Sequence, residues 1–348
     1  MVKVLIVDDS ALMRKHIAIL LGDAGCEVLT ARNGLEAVEQ VVSLQPDVIT
    51  LDINMPEMDG LTALSLIMAA RPTPVVMVSS LTRKGALSTL EALAMGAVDF
   101  IEKPGGTISL NINNIAGDLV DKVLRAATAR PRQAARILPA RLARPSRPPA
   151  IAPSTAESNF GLVVVGVSTG GPRTLEDILP SLPATLPWPV VIAQHMPASF
   201  TGPLAGRLDS YCHLSVQEVG SVTSLVPGNI YIAKGGTDMV IGRRGGKLVA
   251  VSKPEASKYL WHPSVDALMG SALEHLPASM LIGVQLTGMG NDGATAMTEC
   301  KRRGGRTIAE SESTAVVFGM PKELIQSGGA TCVLPSNKVS AQIVAWLR

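Results

Sequence analysis

The sequence predicts two α/β domains, each built on a mostly parallel, doubly wound sheet, and three observations carry this. At 348 residues the chain has room for about two domains of roughly 150 residues, each able to bury its own core. Short apolar, β-branched runs alternate with amphipathic stretches in both halves, and near-continuous apolar strands separated by helices imply a parallel sheet covered on both faces. Between the halves, residues 126–159 are rich in Arg and Pro and lack a sustained apolar period, as an extended connector would.

In the first domain, residues 1–125, strands are expected at 2–8, 47–52, 74–79 and 97–103. Ile17, Leu20 and Leu21 recur at helical spacing after Ser10, and Ile112, Ile115, Leu119 and Val123 do the same before the connector. In the second domain, residues 160–348, strands are expected at 162–167, 189–194, 229–234, 247–252, 280–287 and 306–310, with the clearest helix at 263–276.

Composition excludes several classes. With 47% hydrophobic and 17% charged residues, and 31 Lys and Arg against 29 Asp and Glu, the chain is neither a disordered polyampholyte nor a globally basic nucleic-acid binder. Mean hydropathy is +0.29, yet no apolar run approaches the roughly 20 residues that span a bilayer. The start has no signal-peptide pattern. Cys26, Cys212, Cys300 and Cys332 are scattered without a CxxC pair, which fits reduced thiols. A cytoplasmic protein without membrane insertion is expected. Residues 121–150 carry eight cations and one carboxylate, a net of +7. The run reads as a solvated, self-repelling connector or as a docking segment for an acidic partner.

In an open parallel sheet, ligands sit beyond the carboxyl ends of the strands. Asp8 and Asp9 end the first strand of the first domain, Asp52 the next, Ser79 the third and Lys103 the last. Converging carboxylates repel unless they hold a hard divalent ion, and an all-oxygen set suits Mg²⁺. Asp52 is then a candidate carboxylate nucleophile towards a phosphoryl group, with Lys103 neutralising the arriving charge and Ser79 hydrogen-bonding a phosphoryl oxygen. Taken singly, Asp9 or Ser10 reads as a turn or helix N-cap.

In the second domain, Gly166-Val167-Ser168-Thr169-Gly170 lies between a strand and a helix opened by Pro172, the strand–turn–helix context of G-x-S-x-G nucleophiles. A phosphate-cradling turn is the rival reading, but the GK[ST] ending of a P-loop is missing. His195 follows the next strand, so parallel geometry puts it on the same edge as Ser168. His262 is the rival base; His16, His213 and His275 read as surface or packing residues. Asp292, in a loop with Gly288, Gly290 and Gly293, is expected to bring its carboxylate to imidazole Nδ1, with Asp238 and Asp266 as alternatives. The order Ser, His, Asp differs from that of α/β-hydrolases.

These residues fall into known patterns. DDS at 8–10, LDINMPEMDG at 51–60, VSS at 78–80 and EKP at 102–104 resemble the response-regulator receiver domain, which is flavodoxin-like. The resemblance implies phosphorylation of Asp52 by a chemotaxis histidine kinase, Mg²⁺ on Asp8, Asp9, Asp52 and the Asn54 backbone, a switch of Ser79 and Phe100, and pairing of Lys103 with the phosphate. It also implies a cis bond between Lys103 and Pro104. GVSTGG at 166–171, QHMP and the following residues to 208, PSVD at 263–266 and TGMGNDGA at 287–294 resemble the catalytic domain of the CheB family of chemotaxis methylesterases. Carried over, this makes Ser168 the nucleophile, His195 the base and Asp292 its orienting carboxylate, with Thr169 and Met289 near the oxyanion site and no cofactor in this half. Val167, usually Ala in the family, and His262, commonly Arg, depart from the pattern.

The resemblance implies hydrolysis of glutamate methyl esters, and deamidation of selected glutamines, on the cytoplasmic domains of methylated chemoreceptors, with the unphosphorylated receiver restraining the reaction. A DNA-binding output would need a basic recognition helix, whereas these Arg residues lie among prolines, so no nucleic-acid partner is expected. The alternative is a response-regulator binding module or scaffold without esterase activity.

Overall fold

The computed structural model describes residues 1–79, 82–103, 108–129 and 160–348, with backbone alone at 83 and 108–115. The chain forms two compact units, Met1–Leu138 and Pro139–Arg348. Most of the expected connector, and Pro104 with its expected cis bond, lie outside the described residues.

The first unit runs β1 (Lys3–Val7), α1 (Ala11–Asp23), β2 (Glu27–Ala31), α2 (Gly34–Leu44), β3 (Val48–Asp52), α3 (Gly60–Ala70), β4 (Val75–Ser79), α4 (Arg83–Met95), β5 (Asp99–Glu102) and α5 (Ile108–Ala127). All pairings are parallel, in the order β2-β1-β3-β4-β5. This flavodoxin-like order reverses between β1 and β3, which opens a crevice at their carboxyl ends. Ser10 caps α1 by accepting the Met13 amide at 3.3 Å. The strand β2 was not among those expected. α5 reaches past residue 125 and absorbs the start of the basic run, with Lys122 paired to Asp118 (3.0 Å) and Arg125 to Asp121 (2.9 Å) one turn away.

The second unit runs β6 (Leu162–Val167), α6 (Gly171–Ile178), β7 (Val190–Gln194), α7 (Ala198–Asp209), β8 (Ser215–Val219), β9 (Thr223–Ser224), β10 (Asn229–Ala233), β11 (Asp238–Arg244) and β12 (Lys247–Lys253). It continues with α8 (Val265–His275), β13 (Leu281–Gln285), α9 (Ala294–Arg302), β14 (Arg306–Glu310), α10 (Met320–Gln326), β15 (Cys332–Leu334) and α11 (Ser336–Trp346). Seven strands pair in parallel, in the order β15-β14-β13-β6-β7-β10-β8. Residues 247–252 do not join them. They belong to β12, in a separate antiparallel sheet of order β11-β12-β9. The reason is Gly245-Gly246, whose positive φ angles of 54° and 78° make a two-residue hairpin that folds β12 back on β11. One apolar cluster, including Val164, Val191, Tyr231, Leu268 and Met269, fills the space between the sheets and α8. The four cysteines are free, three of them buried.

The chain moves from β6 to β7 on one side and later returns to place β13 on the other, so β6 lies at the switch point of the large sheet. Loops after β13, β6 and β7 therefore share one edge.

Candidate active site

Each of those three loops carries one of the expected catalytic residues. Ser168 follows the fully buried β6; its amide donates to Thr287 O (2.9 Å) and its carbonyl accepts the Gly171 amide (2.8 Å). The turn into α6 needs glycine at 170 twice over. Its φ is +77°, and an added Cβ would meet the Val316 side chain at 2.6 Å. His195 follows β7 and donates its amide to Val167 O at 3.0 Å. Its ring stacks on Trp261, centroids 5.7 Å apart and planes 7° from parallel. Asp292 follows β13 in the glycine loop, where Gly288 lies so close to Ser168 that a Cβ there would meet Ser168 Cβ at 2.7 Å.

His195 Nε2 lies 2.8 Å from Asp292 Oδ2, which corrects the expected approach to Nδ1. The bond to Val167 O anchors the His195 main chain and the stack on Trp261 orients its ring, and a carboxylate arriving from a separate loop reaches the nitrogen distal to the main chain. With the Nε2 proton directed at Asp292, Nδ1 keeps the lone pair. Nδ1 is buried and has no hydrogen-bond partner, so the Ser168 hydroxyl is not bonded to it in this structure. Apo sites commonly show such loose contacts.

Asp292 is itself held at the N-terminus of α8. Its Oδ2 accepts the Val265 amide (2.7 Å), and its Oδ1 accepts the Ser264 hydroxyl (2.9 Å) and the Asp266 amide (3.0 Å). Burial pushes this carboxyl up, but the His195 hydrogen bond and charge and the Asp266 and Val265 amides outweigh it and hold it below the usual range. An imidazole oriented by a buried carboxylate, beside a serine on a tight turn, has the parts needed to activate a hydroxyl nucleophile.

The alternatives are occupied elsewhere. Asp238 binds His262 Nδ1 (3.0 Å) and the Ser264 and Ala256 amides, and Asp266 faces α9. Thr169 is buried, its carbonyl accepting the Thr287 hydroxyl at 2.9 Å. Met289 is 38% exposed beside Gly288.

The expected carboxylate cluster of the first unit also forms. Asp8, Asp9 and Asp52 each place an oxygen within 4.8 Å of the others. Lys103 Nζ lies 2.7 Å from Asp52 Oδ2 and 3.0 Å from Asp8 Oδ2. The Asn54 amide points at Asp52 Oδ1 at 3.4 Å. Burial raises the Asp52 pKa, and the Lys103 hydrogen bond and charge only partly offset this, with Asp8 adding repulsion. The buried Asp8 Oδ2 is met by the Lys103 ammonium, which it shares with Asp52. Three convergent carboxylates, with Lys103 bridging two of them, present hard oxygen donors and surplus negative charge, which fit a divalent ion. Ser79 donates to Gly85 O (3.3 Å), and Phe100 is buried under Lys122, whose Nζ is 5.4 Å from the ring centre.

Two family models match this chain: CheB methylesterase over residues 163–343 and response regulator receiver domain over residues 4–111. The chain belongs to the CheB methylesterase family. The protein-glutamate methylesterase/protein-glutamine glutaminase 3 of Rhodospirillum rubrum is 56% identical, over 100% of this chain and 96% of its own length. The protein-glutamate methylesterase/protein-glutamine glutaminase 2 of Rhodopseudomonas palustris is 49% identical, over 99% of this chain and 98% of its own. The crystal structure of the Thermotoga maritima CheB methylesterase catalytic domain is 41% identical and matches with a TM-score of 0.52, covering 53% of this chain and 98% of that one.

Within this methylesterase-family domain, two buried glutamines escaped the sequence reading. Gln194 Nε2 donates to both the Ser168 and His195 carbonyls (3.0 and 3.1 Å), and Gln285 Nε2 donates to the Asp292 carbonyl (2.9 Å). Glu310, fully buried at the end of β14, accepts the Thr287 amide at 2.8 Å. The available signal was the same each time: a polar residue closing an apolar strand on the edge that carries the site.

Proposed function

We propose that the protein is a phosphorylation-activated serine hydrolase that removes methyl esters from glutamates of chemoreceptors and deamidates selected glutamines. In this reading Ser168 Oγ attacks the γ-carbonyl while His195 Nδ1 takes its proton. The proton then passes to the departing methanol or ammonia, and water completes hydrolysis of the acyl-serine by the same route. Asp292 holds the Nε2–H tautomer and stabilises the imidazolium. Backbone donors in the turns of Thr169 and Met289 stabilise the oxyanion, an interaction worth about 100-fold or more in rate. The observation that carries the reading is the 2.8 Å His195–Asp292 pair, with the other imidazole nitrogen buried and unpartnered on the strand edge that bears Ser168.

Residues 1–125 serve as the receiver and 160–348 as the esterase, joined by 126–159. A chemotaxis histidine kinase phosphorylates Asp52. Asp8, Asp9, Asp52 and the Asn54 backbone would hold Mg²⁺, which when bound would supply positive charge at the phosphorylation site. Lys103 pairs with the phosphate, and Ser79 and Phe100 shift as the switch. No described helix is long and apolar enough to cross a membrane, and we place the reaction in the cytoplasm, where the receptor's methylated helices lie. A fluorophosphonate probe tests the nucleophile. Labelling of the wild type that disappears in Ser168→Ala is expected; no labelling of folded wild type, or labelling that survives the substitution, would contradict it.

A further inference from the structure

Two helix N-termini meet behind the His195–Asp292 pair, and each is capped by an acid from the other's segment. The first amides of α8 donate to Asp292 at 2.7 and 3.0 Å. α9 opens directly after this aspartate, behind Gly293, which has no side chain to cap it. The missing acceptor comes from α8: Asp266 Oδ1 accepts the Ala296 amide at 2.8 Å, and the Gly293 amide reaches the same carboxylate. Burial pushes the Asp266 carboxyl up; the Ala296 amide opposes it, Asp292 adds repulsion and the Gly293 amide opposes again.

The placement of the glycines gives this cap a consequence for the site. Gly290 and Gly293 flank Asp292 with φ of +92° and +91°, so the loop is held by bonds to its neighbours. Gln285 Nε2 fixes the Asp292 carbonyl, and Asp266 fixes the chain on its other side. We propose that Asp266 is a positioning residue of the esterase, pinning the start of α9 so that Asp292 Oδ2 stays on His195 Nε2. The role rests on the esterase reading, because Asp266 touches none of the reacting groups and acts through Asp292.

The test uses the full chain with Asp266→Ala, Asp266→Asn, Asp292→Ala and the double variant Asp266→Ala/Asp292→Ala. The readouts are the low-field proton resonance of His195 Nε2–H, and kcat and KM for methanol release from methylated receptor membranes. Asp266→Ala is expected to shift or broaden the resonance and to lower kcat about tenfold to a hundredfold with KM unchanged, the scale of a small misplacement of a catalytic group. Asp266→Asn, which keeps an acceptor for the Ala296 amide, recovers most of the rate. Adding Asp266→Ala to Asp292→Ala costs nothing further, since the two act as a unit. An unchanged resonance, or an equal loss of rate in both backgrounds, would overturn the proposal and leave Asp266 a helix cap. If Asp266→Ala fails to fold, Asp266→Ser carries the same expectations. If the wild type itself releases no methanol, the esterase reading fails, and the resonance still decides whether Asp266 positions Asp292.

Discussion

At the scale of residues, the site is governed by which imidazole nitrogen meets the carboxylate. Asp292 accepts from Val265, Ser264, Asp266 and His195, so its charged form is favoured in the fold despite burial. Its pKa lies below that of the unfolded chain, about 3.9. The resulting stabilisation is therefore complete above that value and is lost as pH falls through the lower, folded value. Urea midpoints measured from pH 7 to pH 3 should fall less steeply for Asp292→Asn than for wild type. The same substitution leaves Oδ1 as a possible acceptor, whereas Asp292→Ala strands the α8 amides and should cost about 3 kcal/mol in the same experiment.

At the scale of elements, glycine substitutions separate strain from freedom. Gly293 has φ +91°, and an added Cβ would meet Val265 Cγ1 at 2.5 Å; Gly293→Ala should destabilise by about 2 kcal/mol or more. Gly117 sits within α5 with open space around it, so Gly117→Ala should stabilise by about 0.5–1 kcal/mol. Thermal melts of both variants check the contrast. Legibility in the sequence followed burial. β1, β3, β4, β6, β7 and β13 are continuous apolar runs because both faces of their sheets are covered, and they were readable. Edge strands β2 and β8 have mixed burial, carry Glu, Thr or Gln on open faces and gave no continuous run. The Gly245-Gly246 pair is a hairpin-turn signal in the sequence, and it is what separates β12 from the parallel sheet. Ser168, His195 and Asp292 were legible because they sit at strand ends, where topology alone brings them to one edge. The choice of Nε2 over Nδ1, the Asp238–His262 pairing and the crossed caps were not, because they depend on distances between loops 24 to 97 residues apart.

At the scale of the molecule, two separately cored units carry two chemistries. The acidic cluster Asp8–Asp9–Asp52 predicts that Mg²⁺ raises the melting temperature of the first unit, as any ligand selective for the folded state does. Asp8→Asn should weaken that rise in calorimetry. A fragment beginning near residue 150 retains the whole large sheet and all three proposed catalytic residues. If the receiver restrains the esterase, its basal rate should exceed that of the unphosphorylated full chain. An equal or lower rate from the folded fragment would argue against restraint. The most direct measurement is methanol release from methylated receptor membranes by wild type and Ser168→Ala, each with and without acetyl phosphate and Mg²⁺. Release that rises with the phosphodonor and falls about a thousandfold or more in Ser168→Ala is the predicted result. Release that is absent throughout from folded protein, or that survives Ser168→Ala, would contradict it.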